Sequence, residues 1–142
     1  MECEFPSVNS NNEEIIEIFN NTKTIAIAGL SPNEEKASNR VAKYLQSAGF
    51  KIVPVYPKED EILGEKVYRT ISEIPFEIDM VDIFRKPDAI AAIVDEVLKR
   101  DDVKCVWTQL GLVNNEAAQK AKDAGLKVVQ NKCTKIEHAN NF

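Results

Sequence analysis

The sequence predicts an α/β fold with a doubly wound, mostly parallel sheet in three α/β/α layers, and three observations carry that expectation. Short apolar runs bounded by turn residues alternate with segments of helical periodicity from about Thr24 onward. The first such run, Thr24-Ile25-Ala26-Ile27-Ala28, breaks at Gly29 into the polar loop Leu30-Ser31-Pro32-Asn33 and is followed by a helical segment. Strand, glycine turn and helix in that order present outward-facing backbone N–H groups to an anion. Finally, the 142 residues suffice for a single domain that buries roughly two-thirds of its unfolded surface.

Residues 1–23 form a lead-in with one helix, which starts at Asn12 with Glu13 and Glu14 and turns Ile15, Ile16, Ile18 and Phe19 to one side. Asn20-Asn21 ends it, and it is expected on the edge of the sheet with no functional role. Thr24 to Ala28 is a strand buried on both faces. Ser38 is the expected N-cap of the next helix, with Val41, Ala42, Leu45 and Ala48 on its apolar side and Gly49 just beyond its end. Ile52 to Val55 is the second strand, expected to be irregular because Pro54 removes a ladder donor. Tyr56 to Gly64 is a charged loop, and Lys66-Val67-Tyr68 is a short third strand at the edge. Ile78 to Phe84 is the fourth. Pro87 opens a helix to about Lys99 with Ile90, Ile93, Val94, Val97 and Leu98 at helical spacing. Val103 to Thr108, a helix from Asn114 or Asn115 to Ala124, and a last strand from Leu126 to Gln130 complete the pattern. The tail, 131–142, is polar and carries no assigned element.

Right-handed crossovers arrange these strands in the order 3-2-1-4-5-6, a Rossmann-like winding. Ligands of such sheets sit at the carboxyl ends of the strands where the winding reverses. That crevice lies between the first strand and the Ile78–Phe84 strand. Gly29–Ala37 flanks it on one side and Phe84-Arg85-Lys86-Pro87, with two adjacent cations, on the other.

The net charge of −5, from 18 basic and 23 acidic residues, excludes generic attraction to nucleic acid or an anionic membrane. An anionic ligand therefore needs a local site of backbone donors and a few cations. No apolar run approaches the ~20 residues of a membrane span, and Met1-Glu2-Cys3-Glu4-Phe5-Pro6 lacks the layout of a secretory signal. Cys3, Cys105 and Cys133 form neither a disulfide framework nor a metal pair, which fits a reducing cytoplasm.

A dinucleotide site of the NAD type needs further glycines and an acid about twenty residues on. Here the positions two and five residues after Gly29 are Ser31 and Glu34, and the second strand leads into Tyr56-Pro57-Lys58. A lysine there suits a phosphate on the ribose, as in NADP or coenzyme A, with Lys36, Arg40, Arg85 and Lys86 completing a local positive field. The alternative is that Lys36 and Lys58 only solvate the surface.

Several motifs recur in one family: Gly29-Leu30-Ser31-Pro32-Asn33, Ser38-x-Arg40-Val41-Ala42-Lys43-Tyr44-Leu45, Val53-Pro54-Val55-x-Pro57 and Leu63-Gly64-Glu65-Lys66-Val67-Tyr68, then Val81-Asp82-Ile83-Phe84-Arg85-Lys86-Pro87, Val106-Trp107-x-Gln109-Leu110-Gly111 and Cys133-x-Lys135-Ile136-Glu137-His138. In these the chain resembles small stand-alone CoA-binding proteins, themselves similar to the CoA-binding domain of the succinyl-CoA synthetase α subunit. The resemblance runs from about Thr24 to His138. It implies coenzyme A or acyl-CoA as ligand, with Gly29, Leu30, Ser31 and Pro32 along the diphosphate and adenosine. It also implies Ser38 and Arg40 at a phosphate, Pro57 and Lys58 near the phosphorylated ribose, and Phe84, Arg85 and Lys86 over the adenine and phosphates. Asn39 stands where an aromatic is common, and Ala37 where proline is.

His138, the only histidine, has no nucleophile placed beside it by the sequence and is assigned a structural role. Cys105 is a core residue. Cys133 follows the last strand at the ligand end, where a thiolate would exchange with the thiol of coenzyme A. Trp107 is read as a core aromatic beneath a loop. The expected function is coenzyme A binding without catalysis, as a carrier, sensor or regulator with a partner enzyme or a second copy undetermined. The alternatives are a small NADP-binding oxidoreductase or regulator and a thiol-redox protein using Cys133.

Overall fold

Backbone pairing decides the architecture in the computed structural model, which describes residues 5–142. Cys3 and the start of the N-terminal segment lie outside the described residues. The strands are β1 (Thr24–Ala28), β2 (Lys51–Val55), the two-residue β3 (Glu61–Ile62) and β4 (Glu65–Lys66), β5 (Met80–Ile83), β6 (Cys105–Thr108) and β7 (Lys127–Val129). The helices are α1 (Asn12–Asn20), α2 (Ala37–Ser47), α3 (Pro87–Leu98), α4 (Asn115–Asp123) and α5 (Thr134–Asn141). Five strands form one parallel sheet in the order β2-β1-β5-β6-β7, and β3 and β4 make a separate antiparallel hairpin.

The expected order holds, except that its third strand shrinks to one residue. Lys66 belongs to the hairpin, and Tyr68 alone bridges Val55. Tyr68 N–H donates to Pro54 O and Tyr56 N–H to Tyr68 O, both at 3.0 Å. These bonds explain why β2 is regular where an irregular strand was expected. The N and C=O of one residue face the same side of a parallel ladder, so the Pro54 nitrogen faces outward, away from β1. Its missing donor costs the β1 ladder nothing, and β2 pairs residue for residue with β1, Pro54 opposite Ile27. The Ile78–Phe84 run narrows to β5 because Ile78 gives its N–H to the Asp102 carboxylate at 2.9 Å.

Alternating residues divide the core between two faces. Ile25, Ile27, Ile52, Met80, Cys105 and Trp107 pack with Ile15, Phe19, Val41 and Leu45. Ala26, Val53, Val81, Ile83, Val106 and Val128 pack with Ile90, Val94, Val97 and Ala121. Helix α1 therefore lies on a face of the sheet and not on its edge, since Ile15, Ile18 and Phe19 are all buried. Its start is fixed by a capping box between Asn11 and Glu14.

The polar tail is helical. Thr134 and His138, four residues apart, bring one side of α5 onto the core, and the exposed Phe142 continues that side just past the helix. His138 meets Phe19 and Phe50 edge-on at 5.2 and 5.5 Å, stacks on Phe142 at 4.9 Å, and has Tyr44 Oη 2.8 Å from Nδ1. Burial lowers its pKa from the ordinary value. The assigned structural role is thus an aromatic anchor.

At the other end of α5, the fully buried Asp82 carboxylate accepts from Gln109 Nε2 at 2.5 Å and from Thr134 Oγ1 at 2.9 Å. One carboxylate thereby joins β5, the end of β6 and the first turn of α5. Burial pushes its pKa from 3.8 up to about 7. A raised folded-state value means that the unfolded chain ionises first. The stability this group allows is complete below pH 3.8 and is lost as pH rises towards 7. Asp82→Asn keeps acceptor and donor but cannot ionise. Its melting temperature relative to wild type is expected to climb between about pH 4 and 7 and level off above; thermal unfolding across that range measures it, and a constant offset contradicts the assignment.

Candidate functional site

The two loops flanking the crevice meet through their backbones. Gly29 adopts φ +88°, donates its N–H to Val55 O at 2.8 Å, and lies so close to β5 that a Cβ placed on it would stand 2.5 Å from Phe84 O and 2.9 Å from Arg85 Cδ. Phe84 N–H donates to Ala28 O at 2.8 Å. Gly29, Phe84 and Arg85 are therefore in one place, as the sequence suggested. Lys86 follows as the N-cap residue of α3, and both Arg85 and Lys86 are exposed.

The loop between β1 and α2 is tied by its own side chains. Ser31 N–H donates to Ser38 Oγ (3.0 Å), Asn33 N–H to Ser31 Oγ (3.1 Å) and Glu35 N–H to Asn33 Oδ1 (2.9 Å). The Arg40 guanidinium donates to Glu35 O. Ser38 is not the N-cap: Lys36 occupies that position, and Ser38 sits buried inside the first turn because its hydroxyl is turned back to Ser31. The Leu30 side chain is fully buried in the core, leaving its backbone to the loop, while Pro32 is exposed.

Electrostatics distinguish this end of the sheet. Helices α1 and α4 are capped by Asn11 and Asn114, whereas no side chain caps α2, α3 or α5. The uncapped α2 and α3 are the helices that follow β1 and β5. Their N-terminal turns place partial positive charge on both sides of the crevice.

Sequence reasoning missed two residues here. Asn39 is buried, its Nδ2 donates to Ser31 O at 2.9 Å, and its Oδ1 has no hydrogen-bond partner among the described residues. Arg69 reaches back to the loop after β2, where its Nη1 donates to the carbonyls of Tyr56, Lys58 and Glu59 at 3.0, 2.9 and 2.8 Å. Pro57 and Lys58 on that loop are exposed. No spacing rule flags either residue, since each acts on carbonyls of a separate segment.

The remaining candidates separate cleanly. Trp107 is fully buried and donates Nε1–H to Lys132 O at 2.8 Å. Burial pushes the Cys105 thiol far up, so it is an inert core residue. Cys133 is free, half-buried, and the N-cap residue of α5. Among the described residues no group of His, Cys, Asp or Glu forms a metal cluster. No helix among them is long and apolar enough to cross a membrane. A cleft of about 410 Å³ opens at the opposite, amino end of β6 and β7, lined by Val103, Lys104, Cys105 and Leu126, and shares no residue with the crevice loops.

Comparison with known proteins decides the family. The CoA binding domain matches residues 23–139. The chain belongs to that family. Another protein similar along nearly its whole length is YneT of Bacillus subtilis, 40% identical over 131 residues, covering 92% of this chain and 96% of that one. A solved structure of a hypothetical protein from Pyrococcus horikoshii superposes with a TM-score of 0.89 at 40% identity, covering 99% of this chain and 98% of that one. An ADP-forming acetate–CoA ligase of Methanocaldococcus jannaschii is 26% identical over 121 residues, which are 80% of this chain but only 17% of the ligase. The CoA-binding domain is thus similar both to small proteins of its own size and to one part of much larger enzymes.

Gly29→Ala tests the crevice of this CoA-binding domain directly. The added methyl meets a backbone carbonyl and forces an unfavourable φ, so the variant should lose about 1–3 kcal/mol in denaturant unfolding. An unchanged midpoint would show that the two loops are not packed as described.

Proposed function

We propose that this chain binds coenzyme A or an acyl-CoA in the crevice between β1 and β5 and performs no chemistry on it. The observation that carries the reading is the convergence there of a glycine-only backbone contact, two uncapped helix N-termini and the Arg85-Lys86 pair. The donor set suits the group. The N–H groups of Leu30 and Ser38 would face the diphosphate, along a loop that Gly29 and Ser31 shape through their own bonds to Val55 O and Ser38 Oγ, with Pro32 and Phe84 against the adenosine. Arg40, Arg85 and Lys86 would supply positive charge, and Pro57 and Lys58 would lie by the phosphorylated ribose. The buried acceptor of Asn39 suits a ligand bearing neutral N–H and O–H donors beside its phosphates.

When bound, coenzyme A supplies a thiol that carries an acyl group as a thioester. The chain's own residues hold and orient it. His138 is enclosed by rings, and no residue that would act on a thioester is paired with Cys133 by the contacts described. A carrier, a sensor or a regulatory subunit in a reducing cytoplasm accords with these features.

Isothermal titration with coenzyme A, dephospho-coenzyme A, NAD and NADP tests the reading. Coenzyme A should bind, its dephospho form roughly tenfold more weakly for want of a charge-assisted bond, and NAD hardly at all. Tightest binding of NADP would favour the oxidoreductase alternative. In a second measurement, Arg85→Ala with Lys86→Ala should weaken coenzyme A binding at least about tenfold. Both side chains are exposed, so the melting temperature should barely move.

A further inference from the structure

Arg69 lies in none of the segments that bind a phosphate by backbone amides, yet it gathers three carbonyls of the turn that carries Lys58. One nitrogen, Nη1, donates to Tyr56 O, Lys58 O and Glu59 O. Three carbonyl dipoles converge on one point only where the chain doubles back. Glu59 is where it does so, with a left-handed φ of 66° in a residue that is not glycine. Without the cation these carbonyls face one another and the turn loses the contact that closes it.

Arg100 provides an internal contrast. It too holds three carbonyls, those of Ile71, Ile74 and Phe76, but it is largely buried and paired with Asp102 at 2.8 Å. Its charge is neutralised, and its task is to fasten the segment before β5. Arg69 is exposed: its guanidinium stands 3.9 Å from the carboxylate of Asp60, itself exposed, and the Glu73 carboxylate meets its backbone N–H at 3.4 Å. The positive charge of Arg69 therefore stays at the turn, next to Lys58, which makes no ion pair among the described residues.

We infer that Arg69 is a positioning residue for ligand selection: by closing the Tyr56–Glu59 turn it holds Lys58 at the carboxyl end of β2, where the ribose phosphate of the ligand is to be read. The inference rests on the coenzyme A reading and extends it to a residue that does not touch the ligand. A lysine on an open turn would have to be ordered by the phosphate itself, and the gain from their pairing would fall accordingly.

The readout is the ratio of affinities for coenzyme A and dephospho-coenzyme A, measured by titration calorimetry, since damage to the fold alone would weaken both ligands and leave the ratio intact. Arg69→Met and Lys58→Ala should each lower the ratio about threefold, and the double variant should lower it no further, because both changes remove one interaction. Arg69→Lys, whose ammonium donates to the same carbonyls, should recover most of the ratio. A wild-type ratio in Arg69→Met overturns the inference. So does a double variant that loses the product of the two single effects, which would put Arg69 itself on the phosphate. If Lys58→Ala leaves the ratio unchanged, the Lys58 assignment fails and the inference falls with it. If wild type binds neither ligand, the underlying reading is the one refuted.

Discussion

The loops after β1 and β5 share one small volume, and that arrangement exists only because residue 29 has no side chain. Gly29 stands where a Cβ would overlap Phe84 O, in a backbone conformation that side chains disfavour. Its N–H is committed to Val55 and the Phe84 N–H to Ala28, so the contact carries β1 and β5 one residue further along their ladders. From that shared point the chain departs in two directions, into α2 and into α3. The positions of both helix N-termini follow from it, and so does the clustering of positive partial charge in an otherwise acidic molecule.

Buried polar groups hold the same end of the sheet from below. Asp82 binds β5 to Gln109 and to the first turn of α5, and the Trp107 indole holds the carbonyl of Lys132 just before that helix. A carboxylate with no countercharge is a costly tie in an apolar interior. Its cost is offset by two donors and by partial protonation near neutral pH. At the far end of α5 a ring cluster around His138 does similar work by packing. The site is therefore supported on loops whose ends are fixed by side chains reaching across the sheet, a design that favours geometry over raw stability.

Much of this was legible in the residues. Apolar runs such as Thr24–Ala28 and helical spacing such as Ile90, Ile93, Val94 and Val97 are local signals, and they gave the layers, the strand order and the crevice. Reading failed where a residue's partner is distant in sequence. Pro54 looked disruptive because the direction its nitrogen faces depends on which side β1 lies. Ser38 looked like a cap because its type is right for one, but its hydroxyl was claimed by Ser31. Helix α5 was obscured by its polar composition, although Thr134, His138 and Phe142 carry a four-residue period. Arg69 left no local trace and Asn39 showed only as a departure from a family pattern, since the carbonyls that define each are brought near only by folding.

Pro54 has a consequence beyond its own strand. Strand β2 is the rim of the sheet, and a rim with free donors and acceptors invites a foreign strand to add itself. Here the imino nitrogen offers no donor, while the neighbouring Pro54 O and Tyr56 N–H are already taken by Tyr68. At the opposite rim, β7 runs for only three residues. Both margins of the sheet are thus poor templates for edge-to-edge growth, and the molecule is guarded against fibrillar self-association by one ring nitrogen, one tyrosine backbone and a short last strand.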